Sequence, residues 1–182
     1  MSGLVQFQAS MSLDGYIAGP DDDMDWIFEH VDAAEGADEI MAETGAILAG
    51  RRTYEVGRRA SRSETSEPYG GGWSGVQLVL THDPPEDPGV TFLTGDIADA
   101  VRTGLAAAGG KNLALFGADV LAQCLARGLV DELVLFVIPV LLGDGVPLFR
   151  RGAGDGGAPV RLEQIGSVAS ASSTALRYRV VR

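Results

Sequence analysis

Ala46-Ile47-Leu48-Ala49-Gly50-Arg51-Arg52-Thr53-Tyr54-Glu55 is an apolar run that stops at a glycine and becomes at once a charged segment. An apolar run with no polar alternation marks a strand buried on both faces, as in a parallel sheet. The glycine permits a tight turn, and residues 51–58 read as a helix leaving directly from that strand. The free amides of such a helix start, with the helix dipole behind them, favour an anion. Arg51 and Arg52 add guanidinium groups suited to phosphate, and Thr53 adds a hydroxyl donor. Leu113-Ala114-Leu115-Phe116-Gly117-Ala118-Asp119-Val120-Leu121 repeats the order of strand, glycine and helix. Two such starts at adjacent strand ends can hold the two phosphates of a dinucleotide. On spacing alone, a pair of ordinary strand–helix turns fits as well.

Around that stretch, strands and helices alternate. Residues 4–11 set Val5, Phe7 and Ala9 against Gln6, Gln8 and Ser10, which is a strand pattern. Ser12-Leu13-Asp14-Gly15 makes a turn, and Tyr16-Ile17-Ala18 a short second strand. A helix is expected over 33–44 with Gly45 at its C-terminal cap, and a mobile, glycine-rich surface loop over 60–75. Further strands are expected at 76–81, 90–93, 113–116 and 133–140, with helices at 96–108 and 118–126. Residues 160–168 and 174–181 read as a final antiparallel pair. The pattern gives a single α/β domain over residues 1–182, its sheet parallel in the centre with antiparallel edges at the C-terminal strands, flanked by helices.

Composition narrows the function. The 182 residues are 46% hydrophobic and 21% charged, ordinary for a globular domain. A formal charge of −11 repels nucleic acid and anionic membrane, so neither is an expected partner. A nucleotide site must then carry its own positive charge, which singles out Arg51 and Arg52. Cys124, the single cysteine, excludes an internal disulfide and reads as a buried structural thiol. Asp21, Asp23 and Asp25 follow calcium-loop spacing, but Trp26 stands where that loop needs glycine. Gly110-Lys111 lacks the remainder of a phosphate loop, Ser74 lacks the closing glycine of a nucleophile elbow, and no GxGxxG follows the first strand. With only His30 and His82 as histidines, no metal site is expected. The N-terminus lacks a signal-peptide pattern, and no apolar run approaches the ~20 residues of a membrane span, so a cytoplasmic protein is expected.

Several segments together resemble a known family. Ser12-Leu13-Asp14-Gly15-Tyr16-Ile17-Ala18-Gly19, Gly50-Arg51-Arg52-Thr53-Tyr54-Glu55, Gly128-Leu129-Val130-Asp131-Glu132-Leu133 and Pro139-Val140-Leu141-Leu142-Gly143-Asp144-Gly145 occur in matching order. They resemble the C-terminal reductase domain of the riboflavin-biosynthesis deaminase/reductase family, in a stand-alone dihydrofolate-reductase-like form. The resemblance implies a dihydrofolate-reductase-like mixed sheet, NADPH as hydride donor and a homodimer. It places Arg51 and Arg52 near the adenosine 2′-phosphate, Thr53 near the pyrophosphate and Thr81 beside the 2′-phosphate. Gly50 then forms the turn below them. Gly117, Ala118, Asp119, Val120 and Leu121 cover the pyrophosphate and nicotinamide ribose, Phe116 belongs to the same cofactor-binding turn, and Ala18 approaches the nicotinamide. The sequence departs from the pattern where Gly117-Ala118 replaces paired glycines and where Phe116 replaces a glutamate.

The implied activity is NADPH-dependent reduction of a small heterocycle, either a 5-amino-6-(5-phosphoribosylamino)uracil-like or a pteridine/dihydrofolate-like substrate. A nucleotide-binding protein of the same fold without efficient turnover is the alternative. Reduction needs a proton as well as a hydride. Asp14, between the first strand and Ala18, is the preferred carboxylate, although Asp14-Gly15 also suits a plain tight turn. Glu35, Asp38 and Glu39 fit a folate-type donor or a solvated helix face. Trp26 suits a pocket wall or the core; Asp131 and Asp144 read as structural.

Overall fold

Residues 3–28, 37–59, 67–150 and 159–182 are described by a computed structural model. The apolar periods become β1 (Val5–Ser12), β2 (Tyr16–Ala18), β3 (Thr44–Gly50), β4 (Val76–Leu80), β5 (Thr91–Leu93), β6 (Asn112–Phe116), β7 (Glu132–Ile138), β8 (Val146–Pro147), β9 (Arg161–Ala169) and β10 (Thr174–Val181). The helices are α1 (Asp25–Phe28), α2 (Ala37–Glu43), α3 (Arg51–Arg59), α4 (Ile97–Ala107) and α5 (Ala118–Ala126). One sheet runs β5-β4-β3-β6-β1-β7-β10-β9, and β2 pairs with β8 in a separate ribbon. From β5 to β7 every pairing is parallel. β10 turns antiparallel on β7, and β9 on β10. The fold is thus the expected mixed sheet, with antiparallel pairing at one edge only.

The parallel centre is parallel because its strands can be buried on both faces. On one face Phe7, Leu48, Leu113 and Leu115 are fully buried against Ile97 and Val101 of α4 and Val120, Leu121 and Cys124 of α5. Asp96 caps α4 by accepting from the amide of Ala98 at 2.8 Å, and Arg127 after α5 donates to the same carboxylate at 2.7 Å. On the other face a second cluster joins Trp26 and Ile27 to Ile138, so Trp26 is a core residue.

Two expectations need correction. The helix expected over 33–44, of which 33–36 lies outside the described residues, ends at Glu43, and Gly45 belongs to β3 instead of capping the helix. A Cβ on Gly45 would sit 2.1 Å from the carbonyl oxygen of Ala108, so its lack of a side chain lets the α4–β6 connection approach the strand. Of the loop expected over 60–75, residues 60–66 lie outside the described residues. Within the rest, Trp73 donates from Nε1 to the Thr44 carbonyl at 3.0 Å and Tyr69 reaches the sheet, so this part is pinned to the fold.

Candidate functional site

β1, β3, β4 and β6 are parallel, so Ser12, Gly50, Leu80 and Phe116 end at the same edge of the sheet. Ligands of open parallel sheets bind beyond that carboxyl edge. There an open cleft of about 1660 Å³ is bordered by the ends of β3 and β6, the starts of α3 and α5, residues 81–83 and the 21–25 turn.

The two glycine turns meet. α3 begins at Arg51 with no intervening loop after β3, and α5 begins at Ala118 directly after Gly117. Gly117 has φ 98° and ψ 141°, a conformation in which side-chain-bearing residues are strained. A Cβ on Gly117 would lie 2.5 Å from Oγ1 of Thr53, so the absent side chain is what lets the second turn close on the first. From the other side, a Cβ on Gly50 would lie 3.4 Å from Cγ2 of Val120. The chain therefore brings Gly50, Thr53, Gly117 and Val120 together and presents two helix N-termini to one cleft.

The arginines are not free cations. Arg51 donates from Nε to Glu55 at 2.7 Å and from Nη1 to the Asp83 carbonyl at 2.8 Å and the Asp83 carboxylate at 3.2 Å. Arg52 donates to Asp22, with Nη2 2.6 Å from Oδ1. The hydrogen bonds to Glu55 and Asp83 raise the pKa of Arg51, and the Asp22 bond raises that of Arg52. Both side chains stay substantially exposed (44% and 63%), so an incoming phosphate can reach them in competition with the exposed Glu55 and Asp83 carboxylates and the half-buried Asp22. Thr81 is buried beside them and exchanges 3.3 Å contacts with the backbone of Asp83. Further out, Tyr54 donates to Asp87 at 2.9 Å and Arg58 to the same oxygen at 2.8 Å.

At the other end of the cleft stand Ala18, buried, and Phe116, whose ring meets Tyr69 edge-on at 6.0 Å. Asp119 and Leu121 lie in the first turns of α5; Asp119 borders the cleft, while Leu121 is buried in the core. Asp14 does not fit the expected role of proton donor. Its carboxylate accepts from the Ser12 hydroxyl at 2.6 Å and from the amides of Gly143 at 2.7 Å and Leu142 at 3.1 Å. The Ser12 hydroxyl first, then the Gly143 amide, hold its pKa below the ordinary 3.8, so it is an ionised clamp on the 142–143 turn. Asp38 is exposed at the cleft margin, Glu39 is exposed on α2, and Glu35 lies outside the described residues.

A polar chain crosses the sheet beneath the cleft. Arg177 donates to Glu132 at 2.9 Å, Gln6 to Glu132 at 3.0 Å, Gln8 to Gln6 at 3.3 Å, and the Tyr69 hydroxyl to Gln8. Gln6, Gln8 and Glu132 are all buried. Burial pushes the Tyr69 phenol up to about 12, which keeps its proton in place at neutral pH. Among the described residues no group of three or more metal-ligating side chains converges, and no helix there is long and apolar enough to cross a membrane.

Residues 4–176 match the RibD C-terminal domain. The chain belongs to that family. A Bacillus subtilis (strain 168) relative, the uncharacterized protein YwjB, is 30% identical over 146 residues, covering 78% of this chain and 80% of its own. Among solved structures, a Shewanella sp. PV-4 protein provisionally described as a riboflavin biosynthesis protein superposes with a TM-score of 0.77 at 25% identity, over 98% of this chain and 99% of that one. The Thermotoga maritima diaminohydroxyphosphoribosylaminopyrimidine deaminase/5-amino-6-(5-phosphoribosylamino)uracil reductase gives 0.73 at 18% identity, over 99% of this chain and 57% of that one. Enterococcus faecalis dihydrofolate reductase, solved with NADP(H), gives 0.64 at 15% identity over 100% and 99% of the two chains. These last two likenesses establish the dihydrofolate-reductase-like fold.

Within this family fold, sequence reasoning missed the Tyr69–Gln8–Gln6 chain, the Tyr54–Asp87 pair and the acidic partners of the arginines. Tyr69 and Trp73 inside a glycine-rich stretch were the available signal, since large aromatics in a loop usually bury themselves.

Proposed function

We propose that the protein is an NADPH-dependent reductase of a small heterocycle, of the 5-amino-6-(5-phosphoribosylamino)uracil or pteridine class. The observation that carries this reading is the closure of the Gly117 turn on Thr53, which aims two helix N-termini at a cleft flanked by Arg51 and Arg52. The arrangement suits a cofactor with a pyrophosphate and a further phosphate. Gly50, Thr53, Gly117, Ala118, Asp119 and Val120 would surround the pyrophosphate, Leu121 packing behind them. Arg51, Arg52 and Thr81 would take the 2′-phosphate side, and Ala18 and Phe116 the nicotinamide side. Bound NADPH supplies the hydride. The chain's own part is to orient the substrate against Phe116 and Tyr69 and to admit a proton. With Asp14 held as a carboxylate, that proton comes from ordered water at the cleft. The partner chemistry is a small molecule in the cleft. The homodimer the family resemblance implies is supported by the edge strand β9, where Leu162 and Val168 stand exposed.

Titration with NADPH and NADH, followed by nicotinamide fluorescence, tests the reading. NADPH should bind more tightly than NADH, and Arg51→Ala or Arg52→Ala should erase the difference. No binding of either dinucleotide overturns it. The second reading, a nucleotide-binding protein without turnover, draws on Asp14 having no proton to give; binding of NADPH without reduction of any pteridine or aminouracil favours it.

A further inference from the structure

The polar chain behind the cleft has one self-consistent direction. Arg177 can only donate, and Nε does so to Oε2 of Glu132 at 2.9 Å. That acceptor oxygen also takes Nε2 of Gln6 at 3.0 Å. Gln6 therefore turns Oε1 toward Gln8, whose two amide hydrogens go to Gln6 at 3.3 Å and to Oγ1 of Thr44 at 3.2 Å. Gln8 is left with Oε1, and the single Tyr69 hydroxyl proton is donated to it. The Thr44 hydroxyl proton is already given to the Ile40 carbonyl at 2.8 Å. Its 3.2 Å contact with the Tyr69 oxygen thus has no proton left to share.

Gln8 and Tyr69 both border the cleft, where every donor they own is committed inward. What remains for a ligand is oxygen lone pairs. Ser10, next on the same face of β1, also borders the cleft, but its hydroxyl turns to suit either kind of partner and sets no preference. Beside this floor the Tyr69 ring meets Phe116 edge-on at 6.0 Å, and both rings border the cleft, giving flat apolar walls. We propose, on the reductase reading above, that Gln8 and Tyr69 form an acceptor-only floor that selects flat amino-substituted heterocycles whose N–H edge faces it. A carbonyl, ether or anionic edge would meet lone pairs and leave its own acceptors unpaired. The preference is written into the far end of the chain, because the Glu132 carboxylate, held by Arg177, accepts from Gln6 and so fixes which way each amide points.

The test uses NADPH-loaded protein and two probes of one shape, 2,4-diaminopteridine and 2,4-dimethoxypteridine, in calorimetric titrations. The diamino compound should bind about tenfold or more tightly, the discrimination expected from an unpaired buried polar edge. Gln8→Leu removes one of the two acceptors, and the Tyr69 proton can pass to Oγ1 of Thr44 at 3.2 Å, so the diamino preference should shrink. Tyr69→Phe leaves Gln8 as an acceptor and should keep the diamino preference at reduced size. Equal binding of the two probes, binding of neither, or a ratio unchanged in folded Gln8→Leu overturns the proposal. The wild-type comparison decides even if that variant fails to fold. Failure of NADPH to bind would instead sink the cofactor reading, so the two failures are separable.

Discussion

Gly117→Ala probes the contact on which the cofactor cradle depends. The new methyl would start 2.5 Å from Oγ1 of Thr53, whereas ordinary van der Waals contact begins near 3.4 Å, so the two turns must part by roughly 0.9 Å or strain in place. A φ of 98° adds a backbone penalty of about 1–3 kcal/mol for any residue with a Cβ. Against a typical folding stability of about 5–15 kcal/mol the domain should survive, with a lowered urea midpoint. Parting the helix starts should also weaken NADPH binding by about tenfold, since each 1.4 kcal/mol of lost complementarity is roughly that factor. A double-mutant cycle isolates the contact. Thr53→Ala removes the oxygen the methyl strikes, so the stability loss in Gly117→Ala/Thr53→Ala should be smaller than the sum of the two single losses. Strict additivity, or a Gly117→Ala protein that matches the wild type in both urea midpoint and NADPH affinity, would refute the close-packed cradle.

Other perturbations read separate parts of the structure. Asp22→Asn removes the carboxylate that occupies Arg52; NADPH should bind about twofold to fivefold more tightly at low salt, the scale of a screened surface pair, and the gain should fade as salt rises. Asp14 has a folded pKa below its ordinary 3.8, so its stabilisation is present above that value and is lost as pH falls through the lower folded one. Asp14→Asn should therefore lower the Tm at neutral pH, the deficit should shrink in strong acid, and a deficit independent of pH would contradict the clamp. Cys124 is fully buried and burial pushes its thiol up to about 12; a disulfide reagent should leave it untouched in native protein and label it only in denaturant.

Much of the fold was legible because it depends on local chemistry. The unbroken apolar run at Ala46 to Ala49 and the strand–glycine–helix order at Gly50 and Gly117 can be read from neighbouring residues alone, and α5 and β10 fall at their expected boundaries. Gly45 was misread because a helix-capping glycine and a strand glycine under a crossing backbone look alike until Ala108 is placed against it. β1 misled in a subtler way. Alternation of Phe7 with Gln6 and Gln8 signals a half-buried strand, yet both glutamines are buried. Their partners are Glu132, Thr44 and Tyr69, distant in sequence, so neither burial nor hydrogen bonding could be inferred locally. The same distance hid Asp22 and Asp83 from Arg52 and Arg51.

A crystal structure of the protein grown with NADPH bears most directly on the cradle. Density for the pyrophosphate between the Gly50–Thr53 and Gly117–Val120 turns, with the 2′-phosphate against Arg51 or Arg52, is the expected result. Density for the dinucleotide elsewhere, or an unfilled cleft at saturating NADPH, would contradict it.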